Sequence, residues 1–400
     1  MGTALRRRRP SRTRRRWRPI ALAVGSCVVF GLFAAGAGAV DPAFDVTTLV
    51  SEGPHSIAAT DVNGDRKTDL AVANYDSNTV AIRLGDGAGA FDAPSSIPVG
   101  TGPLGLAAGD LNGDRKMDLA VANADSDDLS ILLGAGQGGF SAGPTIPLTN
   151  GPWYVVVEDL NRDRRLDLVV AHVGFSGTTV PSTDVSILLG DGGGSFAHAP
   201  GSPITVGRAP YGVEIADFNR DRNPDLAIAN QFDNFVSILL GDGTGRFQPA
   251  PTSPVVVGSG PSWLVAVDFN GDRNVDIAVA VASGTIPILL GDGAGGFVDA
   301  PGSPLAVPGT PHNMRAADFD GDGELDLGVD LLRTDSFSVF VGDGEGGFQH
   351  IGVPTPVGDG PLSMAVGDFN RDRKPDVAVG NHFGDSISVL LNATPKGSPR

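Results

Sequence analysis

The sequence predicts an all-β fold: a seven-bladed β-propeller of four-stranded antiparallel blades, closed by the N-terminal strand. Three observations predict it. A nine-residue phrase, D-x-N/D-x-D-x-x-x-D, starts at Asp61, Asp110, Asp159, Asp217, Asp268, Asp318 and Asp368, with spacings of 49, 49, 58, 51, 50 and 50 residues. Each interval has room for four short strands, and about 50 residues per four-stranded unit is the arithmetic of a propeller. The composition, with 57 Gly, 30 Pro and 6% aromatics, suits short strands and tight turns, and no helical period appears.

The elements of a unit follow in a fixed order. A proline stands seven residues before each first Asp: Pro54, Pro103, Pro152, Pro210, Pro261, Pro311 and Pro361. It opens a short inner strand whose residue four before the Asp is always apolar: Ile57, Leu106, Val155, Val213, Leu264, Met314 and Met364. The acidic phrase reads as a loop. An apolar run such as 69–73 or 118–122 makes the second strand, and stretches such as 186–189 and 237–240 make the third. A glycine turn such as Gly241-Asp242-Gly243 leads to a Phe and a Pro-rich fourth strand. Proline cannot donate to a ladder, so that strand is an edge. The one long spacing comes from an insertion after Ala171, through about Thr183.

The chain ends predict the closure. The turn and its Phe occur six times, at Phe91, Phe140, Phe196, Phe247, Phe297 and Phe348. The seventh unit stops near Asn392 without a fourth strand, and residues 44–50 supply one from the N-terminal side. Strand exchange between the ends removes an exposed edge.

Three segments are expected: a leader at 1–39, the propeller at 40–394 and a short tail at 395–400. The leader has nine arginines and no acid, then an apolar run at 20–35 and Ala37-Gly38-Ala39, a small-x-small cleavage pattern. Its arginine pairs permit twin-arginine export. An uncleaved anchor is the alternative, and the only route to a membrane. The chain is therefore expected to be secreted or held at the cell surface. The only cysteine, Cys27, lies in the leader, so the mature chain has no disulfide.

Without the leader, 20 basic residues face 46 acids, a net charge of −26. Such a body does not hold a nucleic-acid backbone, which demands cationic patches. It solvates itself or collects cations.

The stretch Asp217-Phe218-Asn219-Arg220-Asp221, continuing through Asp225-Leu226-Ala227-Ile228-Ala229-Asn230, resembles the FG-GAP/VCBS repeat of bacterial surface proteins. It is similar to the calcium-binding blades of integrin α-subunit propellers and to some fungal lectins. The likeness spans about residues 43–392. It implies up to seven Ca²⁺ ions, since a hard cation takes six to eight oxygens. Side chains at loop positions 1, 3, 5 and 9, with the carbonyl of position 7, would supply them. The ligand sets are Asp61, Asn63, Asp65 and Asp69; Asp110, Asn112, Asp114 and Asp118; and Asp159, Asn161, Asp163 and Asp167. They continue as Asp217, Asn219, Asp221 and Asp225; then Asp268, Asn270, Asp272 and Asp276. The last two are Asp318, Asp320, Asp322 and Asp326, the most acidic, and Asp368, Asn370, Asp372 and Asp376. Asp and Asn also cap tight turns, but that explains only one or two acids per loop. Loop position 6 departs from the family's usual Gly: Arg66, Arg115, Arg164, Arg222, Arg273 and Arg373 occupy it in six loops, and only Gly323 keeps it. A left-handed residue other than Gly costs about 1–2 kcal/mol, which points to weaker calcium sites.

No catalytic constellation stands out: no Gly-x-Ser-x-Gly elbow, zinc-type histidine pair or thiol nucleophile. The Gly85-Asp86-Gly87-Ala88-Gly89 turn lacks the lysine and helix of a phosphate loop and reads as a hairpin. Where the repeat breaks, a ligand could tell one sector from another. The residue after the repeating proline varies: His55, Leu104, Trp153, Tyr211, Ser262 beside Trp263, His312 and Leu362. Trp153, Tyr211 and Trp263, with His172 and Asn230 on the same face opposite the calcium loops, are the candidate ligand contacts. The alternative is that these rings pack beneath loops. Glu214 and Arg315 also interrupt an otherwise apolar inner-strand position. The expected function is that of a monomeric extracellular ligand-binding or adhesion module, for carbohydrate or protein. The alternative is a lyase-like sugar-processing enzyme using His55, His312 or His172.

Overall fold

The computed structural model describes residues 41–174 and 180–395. The leader, its cleavage site, residues 175–179 of the insertion and residues 396–400 of the tail lie outside the described residues. Seven antiparallel sheets form the propeller. In blade one the order is inner strand Pro54–Thr60, second strand Asp69–Asn74, third strand Thr79–Arg83 and outer strand Ser95–Pro98. Inner strands of successive blades touch around the ring, and the strand of blade seven, Pro361–Gly367, touches that of blade one. Strand Phe44–Val50 pairs with Ser386–Asn392 in register from Phe44 opposite Asn392 to Val50 opposite Ser386, and completes blade seven.

The second strands show what holds the ring. Every residue of Asp69–Asn74, and of its six counterparts, is buried. A strand covered on both faces reads as a continuous apolar run, not an alternation. Its two faces go to two neighbours. Val72 packs toward blade seven with Ala378 and Val389, while Ala71 and Ala73 pack toward blade two with Leu106, Leu119 and Val121. Seven such interfaces recur around the ring.

The outer strands are edges, as their prolines require, but less regular than four plain strands. In blades three to six the fourth strand is split in two, as in Phe196–His198 and Ile204–Thr205. In blade five the third strand also breaks, into Thr285–Ile286 and Ile288–Gly291. The break falls at Pro287, which has no N–H to offer the ladder.

One irregularity recurs in all seven blades. Pairing between inner and second strands shifts just after the proline: Pro54 faces Asn74, but Ser56 already faces Ala73. The same shift follows Pro103, Pro152, Pro210, Pro261, Pro311 and Pro361. A bulge leaves one residue unpaired and re-aims its side chain. That residue is the variable one at each inner-strand start.

Candidate functional site

The acidic loops follow the inner strands, and each is wound around its own side-chain oxygens. The position-1 carboxylate accepts the N–H of position 6 at 2.7–3.0 Å in all seven loops. The position-3 oxygen accepts the N–H of position 5 at 2.8–3.0 Å. The position-5 carboxylate accepts the N–H of position 7 at 2.7–3.0 Å. These are Asx-type turns.

Position 9 differs from the other three. Its seven carboxylates are fully buried. One oxygen accepts the N–H of position 2, as Val62 to Asp69, at 2.7–3.0 Å. The other accepts an N–H from the end of the third strand, as Gly85 to Asp69, at 2.7–3.0 Å. The position-9 residue thus rivets the loop to the blade as well as facing the other acids. Burial raises the Asp167, Asp225 and Asp376 carboxyls to about 6.

The winding forces a left-handed backbone at position 6. The six arginines there have φ of 64–70°, and Gly323 has 101°. Sequence reasoning missed a second such position. Position 4 is also left-handed, held by Gly64, Gly113, Gly271 and Gly321 and by Arg162, Arg220 and Arg371, whose φ is 62–63°. The signal was the strict choice between Gly and Arg at that position. These arginines cross to the next blade: Arg162 donates to the carbonyl of Arg222, Arg220 to that of Asp272 and Arg371 to that of Arg66.

The loops differ in their fitness for a dication. In blade six, oxygens of Asp318, Asp320 and Asp326 lie within 4.8 Å of one another. Asp320 is buried and its Oδ2 has no hydrogen-bond partner. Burial, then the charge of Asp320, pushes the Asp326 carboxyl up to about 7. An orphaned buried oxygen beside two more carboxylates suits a hard cation. In blades one, two, three and seven the position-5 carboxylate is paired with a cation at position 7: Lys67–Asp65 at 3.0 Å, Lys116–Asp114 at 3.1 Å, Arg165–Asp163 at 3.9 Å and Lys374–Asp372 at 3.7 Å.

At the opposite end of the inner strands, the bulged side chains converge on the channel mouth. The rings form a connected chain. His55 meets Trp153 at 5.2 Å, Trp153 meets Tyr211 at 4.8 Å and Tyr211 meets His312 at 5.8 Å between centroids. His382 extends it from His55 to Tyr75. His55 Nδ1 lies 3.0 Å from the Leu104 carbonyl and His312 Nδ1 lies 3.1 Å from that of Leu362. A carbonyl only accepts, so Nδ1 carries the proton in both rings and Nε2 is free to accept. The Tyr211 hydroxyl then donates to His312 Nε2 at 3.2 Å. Burial drives the His55 pKa down to about 3 and that of His312 to about 4.

Of the five candidate ligand contacts, Trp153 and Tyr211 belong to the plug that these rings make at the mouth, whereas Trp263 packs against Tyr154, and His172 and Asn230 are buried in the second strands. Tyr211 and Trp263 are 7% and 6% exposed, and Trp153 is half-buried. Tyr211 packs with Val173, at the base of the insertion, and with Ala209 and Trp153. His172 is buried, with Nε2 2.8 Å from Ser186 Oγ, and burial lowers its pKa to about 4. Asn230 is buried, its amide donating to Ser237 Oγ at 3.0 Å. The same amide–hydroxyl bond joins Asn123 to Ser130 and Asn381 to Ser388, so it belongs to the repeat. Behind the plug lies a cavity of about 20 Å³ lined by residues including His55, Trp153, Tyr154, Trp263 and Arg315. That volume holds a water molecule, not a sugar ring.

Deeper in the channel, Arg315 lies over the Trp263 ring, 5.0 Å from its centroid, and donates to the Met314 carbonyl at 2.9 Å. Burial lifts the half-buried Glu214 carboxyl to about 7, and Arg315 partly offsets the rise. Burial also raises Asp330 well above the usual carboxylate range. The two inner-strand exceptions of the sequence thus share one charge cluster.

Comparison with known proteins identifies the repeat. Residues 61–121, 110–170, 217–279 and 268–329 match the FG-GAP-like repeat, and 360–398 match the FG-GAP repeat. The chain belongs to the FG-GAP repeat family. No curated protein matches it. Among solved structures, this FG-GAP propeller is similar to BBS1N in its complex with ARL6DN, at 14% identity, covering 89% of this chain and 97% of that one with a TM-score of 0.61. It is also similar to a protein from Lactobacillus plantarum, at 13% identity over 78% and 87% with a TM-score of 0.57. A third likeness is to a catalytically inactive virginiamycin B lyase from Staphylococcus aureus with quinupristin, at 12% identity over 87% and 99% with a TM-score of 0.55. At these identities the shared property is the fold.

Proposed function

We propose that this FG-GAP propeller is a calcium-loaded binding module, secreted or held at the cell surface, that presents a rigid ring to a carbohydrate or protein ligand. The observation that carries the reading is the convergence of Asp318, Asp320 and Asp326 around an unpartnered buried oxygen. Carboxylates held this close repel one another, and a dication relieves that repulsion. Calcium would supply charge neutralisation and a fixed loop shape there, not reactivity. The chain's own residues do the rest. The position-9 carboxylates fasten the loops to the blades, and the oxygens of positions 1, 3 and 5, held by backbone N–H groups, would be the further ligands.

The BBS1N propeller was crystallised with a protein partner, which supports a binding role for such a ring. The lyase likeness reminds us that the fold also carries catalysis. Here, however, His312 Nε2 is occupied by the Tyr211 hydroxyl, His172 is buried against Ser186 and burial lowers the His55 pKa to about 3, which favours the binding reading.

Isothermal calorimetry with calcium, beside thermal unfolding in calcium and in chelator, tests the proposal. Blade six should bind tightest. Blades one, two, three and seven should bind more weakly, because the Lys or Arg at position 7 must first release its carboxylate. At tenfold excess over Kd each site adds about 1.4 kcal/mol. No heat of binding and an unchanged melting temperature on chelation would overturn it.

A further inference from the structure

We propose that Asn63, Asn112 and Asn270, at loop position 3, are sites of spontaneous deamidation, in which the backbone nitrogen of the following glycine displaces the side-chain amide as ammonia. The chemistry needs only the loop and water, and no metal enters it.

The chain has four Asn-Gly pairs, and three of them fall at positions 3 and 4 of the acidic loops: Asn63-Gly64, Asn112-Gly113 and Asn270-Gly271. In each, the Asn Oδ1 accepts the N–H two residues on, from Asp65 at 2.8 Å, Asp114 at 2.9 Å and Asp272 at 3.0 Å. Such a turn folds the carboxamide back over the next peptide, whose nitrogen is the nucleophile. The same N–H is placed to stabilise the oxyanion that forms on Oδ1 during attack. The three glycines are exposed. A Cβ built on any of them would meet no atom beyond its chain neighbours nearer than 3.4 Å, which leaves the approach open to water.

The reaction balances without an oxidant or a cofactor. Hydroxide takes the glycine N–H proton, the nitrogen bonds to Cγ, and the Cγ–Nδ2 bond breaks as ammonia leaves on a proton from water. The five-membered imide then takes up one water at either carbonyl and opens to aspartate or isoaspartate. Aspartate at position 3 gives blades one, two and five the carboxylate that blade six has as Asp320. Isoaspartate adds a carbon to the main chain and breaks the winding of the loop.

The repeat contains its own controls. Asn161, Asn219 and Asn370 make the same Oδ1 bond at 2.9 Å, but position 4 is Arg162, Arg220 or Arg371. A Cβ crowds that nitrogen, and a side chain tied to the next blade fixes it. The fourth pair, Asn150-Gly151, precedes the inner strand of blade three. Gly151 is buried, and its N–H donates to Asp127 Oδ1 at 2.7 Å. The three reactive loops also differ among themselves. Gly64 gives its N–H to Asp61 Oδ1 at 2.7 Å, and Asn270 Nδ2 donates to Asp272 Oδ2 at 3.2 Å. Among the described residues the loop of blade two forms neither bond, so Asn112 reacts first.

The test is a time course on the full-length chain in mildly alkaline buffer with chelator, read by peptide mapping and mass spectrometry. Thermal unfolding, followed in parallel, reports the fold. Asn112 should convert to aspartate and isoaspartate at least about tenfold faster than Asn161, Asn219 or Asn370, while Asn150 stays intact. Gly113→Arg, a residue that three sister loops already hold there, should slow Asn112 to the rate of Asn161. Arg162→Gly should speed Asn161 toward the rate of Asn112. Equal rates at Asn112 and Asn161 overturn the inference, as do swapped residues that leave both rates unchanged. Conversion of Asn150 alongside Asn112 also overturns it, since the reaction would then belong to the unfolded chain. So does an intact Asn112 in the folded chain whose peptide converts quickly after digestion.

Discussion

On the loop face, seven copies of nine residues make the same backbone hydrogen bonds, each between 2.7 and 3.0 Å for positions 1 and 9. On the channel-mouth face, the residue after each proline changes from blade to blade: histidine, leucine, tryptophan, tyrosine or serine. The difference comes from symmetry. Each loop meets the next around the ring, as Arg162 does at the carbonyl of Arg222, so the same contact can repeat from blade to blade. Inner strands converge on an axis, where seven identical large side chains would collide and seven small ones would leave a void. Close packing then demands unequal residues. Variation at the axis fills the hole, while repetition at the loops builds a charged rim.

Removing strand Phe44–Val50 should have the largest effect, because it erases both faces at once. A chain lacking 41–51 leaves Ser386–Asn392 as an exposed edge. Aggregation and loss of cooperative unfolding are expected by light scattering and calorimetry. A stable monomer would disprove the closure. Trp263→Ala separates the faces: it should cost about 3–5 kcal/mol in urea unfolding, as for a large buried aromatic. Calcium uptake should be unchanged in that variant, and a parallel loss would show that the two faces are coupled.

Acid provides a gentler probe of the plug. The folded-state pKa values of His55 and His312, about 3 and 4, lie below the ordinary 6.5. The unfolded chain therefore takes up protons first. The stability they contribute is full above pH 6.5 and is lost as pH falls toward 4, by about 2 kcal/mol per histidine at pH 5. Glu214, raised to about 7, acts in the opposite sense, as do the raised loop carboxylates. The measurement is therefore a difference: His55→Gln with His312→Gln should lose less stability between pH 7 and pH 5 than the wild type. Identical slopes would remove the histidines from the plug's energetics.

Two smaller effects sharpen the contrast. Tyr211→Phe deletes the bond to His312 and should cost about 1 kcal/mol. Arg66→Gly relieves a left-handed residue but frees the unfolded chain, for a net gain of about 0.5–1 kcal/mol. A loss of stability there would mean that the guanidinium has an internal role.

The fold was legible because it is written seven times. The spacing of the acidic phrases, the proline seven residues ahead of each and the missing fourth strand after Asn392 each had one structural solution. The rim was legible for the same reason, down to the left-handed arginines at position 6. The mouth was not. Sequence marks Trp153, Tyr211 and Trp263 as exceptions but does not tell that a bulge at the proline turns the chain inward. Nor does it tell that Val173, just after the second strand of blade three, lies against Tyr211 of blade four. Side-chain direction at an irregular register depends on neighbours distant in sequence, and periodicity has no access to them.

The clasp between the two ends of the propeller has a further consequence, for biosynthesis. Ala43 donates its N–H to the Thr394 hydroxyl, 351 residues away. Bringing the ends of so long a loop together costs on the order of 5 kcal/mol in chain entropy. An open array of repeats can fold from either end and lose a terminal unit gracefully. This ring cannot, since the first strand to be synthesised finds its partner only in the last. A chain cut short by one blade has two unmatched edges, and limited proteolysis should digest it faster than the closed ring.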